Sequence, residues 1–575
     1  MSRRAPRLGT LLALLCGVSA LPLAESPVRA ERGRAARAER PLAGGRERPA
    51  PVEVPGMPEA AQRLAGKKVL VATGSAMPNA DLFFFLEPVA RDHHQQTGQT
   101  TLLRWMATFA SRNTFNPMPG IEHDVLFISK GNRDAVTRGT VPNYRPISLY
   151  EMARDLRRGT PDKLVDTVVV KVGLPRDAQG NVVQDIAGAL ANPERLRELQ
   201  VSLGTDSGVT VPAIAQVLRR GGQIVAEMNP FVPFVASNTL RLGDVTAFYR
   251  TQSPMATLND RDPNPLETVL MGHAARLIPD GATVQAGIGA ALTGFGTAVA
   301  DKRGLKIHTE MLGNWARPLL RGENAVREVV ASFAHGDGQL YAAVDGNPNV
   351  KLLPADVVND PRRIARIRGM HAVNTALEVD LSGNTGAEQV VARDDAGARV
   401  RGDDGQPIVR YVSSPGGQKN FMEGAARAPE GKAIIALRSR NKWNEPAVGV
   451  ASLQGRVTTP GRFVTHVVTE WGASADLRHL RAGQRAAEII RVAHPLDRAT
   501  LAEVALAGRL INRSAYAALR GTIFPSLMNC PAALLSHDRA EIASAVQKGV
   551  LDAIQQAQVL ARIPEAPAAP PAVEP

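Results

Sequence analysis

Val284-Gln285-Ala286-Gly287-Ile288-Gly289 and, one helix-length further on, Leu305-Lys306-Ile307-His308-Thr309-Glu310 are the two runs on which the fold reading turns. Each begins as a short apolar or β-branched run that reads as a buried strand, and residues 290–300 between them read as a helix. Strand, glycine turn, helix and strand make a βαβ unit, which implies parallel strands. Glycines at 287 and 289 let the backbone turn sharply and offer free N–H groups to an anion. Glu310 ends the second strand beside that turn. A carboxylate so placed can attack an acyl carbon while neighbouring N–H groups hold the oxyanion, so the pair points to acyl transfer rather than redox chemistry. A dinucleotide site is excluded, because Leu292 stands where the third glycine of that fingerprint belongs, and no Walker lysine follows.

The same alternation continues outward. Runs at 67–73, 164–172, 223–228, 329–333, 433–437 and 463–469 read as further strands, many followed by helical patterns such as 487–492. A chain of 575 residues exceeds what one core usually serves, so two domains are expected. The boundary falls in 257–265, where Pro263 and Pro265 among Asp and Asn disfavour both helix and strand. That divides the body into 57–262 and 263–563. Segments 176–200 and 393–410 read as surface insertions, the second because of its Asp-Asp-Ala-Gly and Asp-Asp-Gly turn signals.

The ends have a different character. Arg3, Arg4 and Arg7 precede an uncharged run, 8–24, and Val28-Arg29-Ala30 offers a small-x-small cleavage site, so 1–30 reads as a secretory signal peptide and the protein as exported, periplasmic or secreted. Leu15 before Cys16 argues against lipidation. A true start at Met57 would make the protein cytoplasmic instead. The run falls short of the roughly 20 apolar residues that span a bilayer, so no integral membrane segment is expected after cleavage. Residues 31–56 read as a disordered linker and 564–575 as a disordered Pro/Ala tail. Without 1–30 the chain keeps one cysteine, Cys530, hence no internal disulfide; no C-x-x-C or H-E-x-x-H suggests a metal site. The formal charge is +13, but the first 50 residues alone hold ten Lys/Arg and four Asp/Glu. The rest is a dilute mixture with no basic run interleaved with aromatics, so no nucleic-acid partner is expected.

A second glycine turn, Ser413-Ser414-Pro415-Gly416-Gly417-Gln418-Lys419-Asn420-Phe421, sets the first in an ordered series. With Gly287–Gly289 and His308-Thr309-Glu310 go 329–333, Asn359-Asp360-Pro361, 374–381, Thr458-Thr459-Pro460 and 467–472. The first half adds Gly74-Ser75, Ser202-Leu203-Gly204-Thr205-Asp206 and Glu227-Met228-Asn229-Pro230. This series resembles the acetyl-CoA hydrolase/transferase family, which includes the 4-hydroxybutyrate and acetate CoA-transferases, and it runs from about Val69 to His494.

The resemblance implies an α/β protein of two tandem CoA-transferase-like domains, each an open, mostly parallel sheet flanked by helices, with disordered N- and C-terminal extensions. It also implies a homodimer, an acyl-CoA and a small carboxylic acid as partners, and coenzyme A as substrate with no permanently bound cofactor. Carried over from the family, Glu310 attacks the thioester to give an acyl-glutamyl anhydride, and the released CoA thiolate then forms a glutamyl-CoA thioester. The Ile288 backbone N–H and Gly417 would hold the oxyanion; Gly287, Ile288, Gly289, Ala290, Ala291, Gly416 and Gly417 would contact CoA. A free glutamate, with its pKa of about 4.3, is ionised at neutral pH as this chemistry needs. His308 reads as a packing residue, since a carboxylate nucleophile needs no base, and Glu378, alternating with Leu377, Val379 and Leu381, reads as structural.

Where family members commonly read G-V-G-G-Q-V-D-F-x-R-G-A, this chain has Ser414, Pro415, Asn420 and Glu423; the S-T-A-K-G-G stretch is replaced by Arg438-Ser439-Arg440-Asn441-Lys442-Trp443, and the S-D-G after the nucleophile by Gly313-Asn314-Trp315. Two alternatives to a CoA-transferase follow: a thioester hydrolase, in which water resolves the glutamyl thioester, and an exported, non-catalytic binding protein that keeps the fold.

Overall fold

The computed structural model describes residues 48–72, 76–105, 119–128, 132–133, 136, 143–322, 324–531, 535, 538–545, 547–548 and 550–563. Residues 1–30, read above as a signal peptide, 31–47 of the stretch read as a linker, Gly74-Ser75 and the stretch 564–575 lie outside the described residues.

Among the described residues, two eight-stranded sheets organise the body of the chain. The first comprises β1 (Val52–Glu53), β2 (Lys68–Val71), β3 (Thr101–Trp105), β4 (Ile121–Val125), β5 (Asn143–Tyr144), β6 (Thr167–Val172), β7 (Gln223–Met228) and β8 (Ala247–Arg250), in the order β1-β8-β7-β6-β2-β3-β4-β5. All its neighbours are parallel. The second comprises β9 (Thr283–Ala286), β10 (Lys306–Leu312), β11 (Val329–Ala334), β12 (Val350–Leu352), β13 (Met370–Asn374), β14 (Lys432–Ala436), β15 (His466–Thr469) and β16 (Gly472–Ala473), in the order β12-β11-β10-β9-β13-β14-β15-β16. Only the β15–β16 pair is antiparallel.

Both faces of the second sheet are covered, as parallel sheets require. Because side chains alternate along a strand, Val373, Ile434, Ala436 and Val468 enter one core with the helix Pro265–Ala275. Met370, Ala372, Ala433, Ile435 and Val467 enter the other, against Phe421 and Met422 of the helix Gln418–Arg427. This is the mixed α/β architecture with parallel sheets that the resemblance implied.

Three local readings change. Residues 31–56 read as linker, yet Val52–Glu53 adds a strand to the edge of the first sheet, pairing with Ala247 and Phe248, and Val54 is buried. The Arg, Pro and Ala around it hide this short apolar alternation. Residues 290–300 form a 3₁₀ turn, Ala290–Gly294, followed by only four α-helical residues, Phe295–Ala298. In 463–469 only His466–Thr469 is strand, because Pro460 starts a 3₁₀ turn at Gly461–Phe463. Segment 393–410 closes the hairpin Gln389–Val391/Val409–Tyr411, with its turns held by Arg393 and Arg399 on Glu445.

Candidate active site

In the second sheet, β9 is the central strand from which the chain first builds β10 to β12 on one side and then β13 to β16 on the other. Connections after β9 and β13 therefore leave in opposite directions, opening a crevice at the carboxyl ends of the strands, the usual binding place in open α/β sheets. β9 and β10 also part early: their register runs only from Thr283/Lys306 to Val284/Ile307. Beyond that point Gly287, Ile288 and Gly289 diverge from Thr309 and Glu310. A cavity of about 470 Å³ lies there, lined by Gly287, Ile288, Gly289, Glu310, Gly416 and Gly417 among others. The two glycine turns and the carboxylate, far apart in sequence, thus converge on one space. Ala290 and Ala291 open the 3₁₀ turn, and Ala291 packs against the core.

β10 runs past Glu310 to Leu312, so the carboxylate is carried inside a strand rather than at its tip. Its pairing with β11 skips it: Thr309 matches Ala331 and Met311 matches Phe333. The side chain is half-buried and held by two donors, the Asn359 side-chain amide and the Gly417 backbone N–H. The Ser332 hydroxyl donates to Asn359 Oδ1 at 3.1 Å, which fixes the amide with Nδ2 toward Glu310. Burial dominates the electrostatics and pushes the Glu310 pKa up to about 7, although the Asn359 and Gly417 hydrogen bonds pull the other way. The ordinary carboxylate value expected from sequence therefore does not hold, because the apolar walls strip water from the charge.

His308 lies on the same strand face, two residues earlier. Burial lowers its pKa, its Nε2 donates to the Val358 carbonyl at 2.8 Å, and its ring packs against Phe421. It holds the turn that bears Asn359. Glu378 is not among the cavity's lining residues and accepts the Gln454 N–H at 2.5 Å. Gly289, at φ 133, occupies backbone space that L side chains rarely adopt, and Gly416 does so at φ 51.

The first half of the chain completes the cavity at two places. Ser207 N–H donates to Ser332 O, and Ala334 N–H to Thr205 O, so the Ser202–Asp206 turn is stitched to β11 behind Glu310. On the other side Ser414 Oγ accepts the Ile128 N–H at 2.8 Å and lies 2.9 Å from the Tyr144 hydroxyl. Phe127, Ile128, Arg133 and Leu149 line the cavity from that half. Sequence reasoning passed over these residues, and Asn359 was noted only as part of a motif.

The departures from the family pattern now have places. Ser414 and Pro415 line the cavity, and so do Gly313, Asn314 and Trp315. Glu423 faces Lys419 and Arg427 on its own helix. None of residues 438–443 lines the cavity; Arg440 is ion-paired with Asp497 and Glu541, and Ser439 Oγ donates to Glu470.

The family model for the acetyl-CoA hydrolase/transferase C-terminal domain matches residues 336–505, a span that includes Asn359 and Gly417 and begins after Glu310. A succinyl-CoA:acetate/propanoyl-CoA:succinate CoA transferase from Fasciola hepatica is 31% identical over 68% of this chain and 75% of its own length. The chain belongs to the acetyl-CoA hydrolase/transferase family. A second CoA-transferase relative, a succinyl-CoA:cyclohexane-1-carboxylate CoA transferase from Geobacter metallireducens, is 28% identical over 70% of this chain and 83% of its own. The crystal structure of a 4-hydroxybutyrate CoA-transferase from Porphyromonas gingivalis shares the fold, at 22% identity and a TM-score of 0.55 over 80% of this chain and 98% of that one.

Proposed function

We propose that this protein exchanges CoA between an acyl-CoA and a free carboxylate by covalent catalysis through Glu310. The observation that carries this reading is the Glu310 carboxylate, fixed by Asn359 and Gly417 in a cavity flanked by both glycine turns. The names of the relatives in Fasciola hepatica and Geobacter metallireducens point to the same reaction class.

The chemistry balances without a base. A Glu310 oxygen attacks the thioester carbon, the C–S bond breaks, and CoA leaves as the thiolate, giving an acyl-glutamyl anhydride. The thiolate attacks the glutamyl carbonyl of that anhydride and expels the first acid as its carboxylate, leaving a glutamyl-CoA thioester. The incoming carboxylate reverses both steps. Every leaving group is an anion, which is why neutral His308 can serve as a scaffold. Gly417 N–H, now donating to the carboxylate, sits where an oxygen of the attacked carbonyl gains charge, and Ile288 at the cavity edge is the second candidate donor. Phe127, Met311, Phe333 and Phe421 among the walls keep water sparse around Glu310, which favours acid acceptors over hydrolysis.

Purified protein mixed with acetyl-CoA and a panel of carboxylates should form the new acyl-CoA, read by chromatography, faster than it releases free CoA. Release of free CoA alone would identify a hydrolase, and no turnover with any pair would favour a binding protein. Because only ionised Glu310 can attack, kcat/KM should rise with pH through an apparent pKa near 7. Asn359→Ala removes a donor that lowers that pKa, so the acid limb should move to higher pH while the fold is kept.

A further inference from the structure

Among the described residues two arginines line the cavity, and they differ in one respect. Arg261 is spent on Glu267, to which it donates two hydrogen bonds. Arg133 has no acidic partner among the described residues: its Nη2 donates to the Val412 carbonyl at 2.5 Å, and its Nε is shut off from solvent without an acceptor. A neutral carbonyl satisfies one donor of a guanidinium but does not neutralise it. A guanidinium at the cavity wall whose charge no carboxylate of the described residues meets is a partner for a substrate carboxylate. Arg133 also reaches the cavity from the first half of the chain.

We infer that Arg133 is the cavity's carboxylate anchor, binding the acid substrate through either its reacting carboxylate before attack or a second carboxylate at its far end. The inference rests on the acyl-CoA/carboxylate exchange proposed above. An acyl-CoA of a simple monoacid carries no carboxylate, so the anchor distinguishes acid from thioester. It gives the acid an affinity that does not depend on CoA contacts, and it holds a negative charge that apolar walls would otherwise reject.

The test is steady-state exchange by wild type, Arg133→Gln and Arg133→Lys, with acetyl-CoA as donor to succinate, and with succinyl-CoA as donor to acetate. In Arg133→Gln the KM for the acid should rise about tenfold or more, the loss expected for one charge-assisted hydrogen-bonded contact, while the acetyl-CoA KM and kcat change little. Arg133→Lys should recover part of the acid affinity. A rise for both acids places the reacting carboxylate on Arg133, and a rise confined to succinate places the second carboxylate there; either supports the anchor. An unchanged acid KM, or a uniform fall in kcat with both substrates affected alike, overturns it. If wild type exchanges CoA and the variants match it, this inference alone fails. If wild type exchanges CoA with no acid, the functional reading fails as well.

Discussion

Glu310→Gln is expected to abolish CoA exchange, with a fall of about 10⁴-fold or more because the anhydride forms on its carboxylate, and to make the protein more stable at neutral and alkaline pH. The second effect follows from the raised pKa. In the unfolded chain the carboxyl ionises near 4.5, whereas in the fold burial lifts it to about 7. Between those values the folded state binds more protons than the unfolded state, so wild-type stability falls as pH rises through that window and stays lower above it. The glutamine oxygen can accept from Asn359 and Gly417 as the carboxylate does, and it carries no charge to desolvate. The variant should therefore gain up to about 3 kcal/mol over wild type above pH 7 and nothing below pH 4.5, read from denaturant midpoints across pH. Lost activity together with lost stability would mean that Glu310 is a structural carboxylate. Stability held in reserve at a functional site is the usual trade between activity and fold.

Gly417→Ala should cost about 10² to 10³ in kcat/KM, the loss typical of a displaced oxyanion donor. At φ −97 the backbone of Gly417 is ordinary for any residue, so strain is not the cause. Space is: an added Cβ would lie 2.3 Å from Glu310 Oε2 and 2.7 Å from Asn359 Nδ2. Either the carboxylate or the turn has to move, and the network Ser332–Asn359–Glu310–Gly417 parts at its centre. The expected signature is a large fall in kcat with a small change in thermal midpoint. A mutant as active as wild type would show that the turn need not approach Glu310 during catalysis.

The alternation of β-branched runs and helical stretches made the parallel sheets legible, and β7 was readable to the residue because the apolar Ile224-Val225-Ala226 follows Gly221-Gly222 and runs into the Glu227–Pro230 motif. Strands bordered by proline were less so, since Pro460 diverts the chain into a turn before His466. Glu310 stood out through its motif, but its environment did not. Nothing local in the sequence brings Asn359 to it, because that contact depends on the register of β10 with β11 and on His308 holding the Val358 carbonyl. The raised pKa was hidden for the same reason: desolvation comes from walls contributed by both halves of the chain. Ser414, a departure when read along the sequence, is in space the residue that ties the second turn to Ile128 and Tyr144.

The central claim is that Glu310 becomes covalently bonded to CoA. Incubation of the wild-type protein with acetyl-CoA or succinyl-CoA, followed by borohydride reduction or hydroxylamine capture and peptide mass spectrometry, reads it directly. The expected result is a modification confined to the peptide bearing Glu310, located on that residue, absent from Glu310→Gln and removed when excess acid acceptor is added before trapping. Turnover with no adduct at Glu310, or an adduct on another carboxylate, would contradict the account.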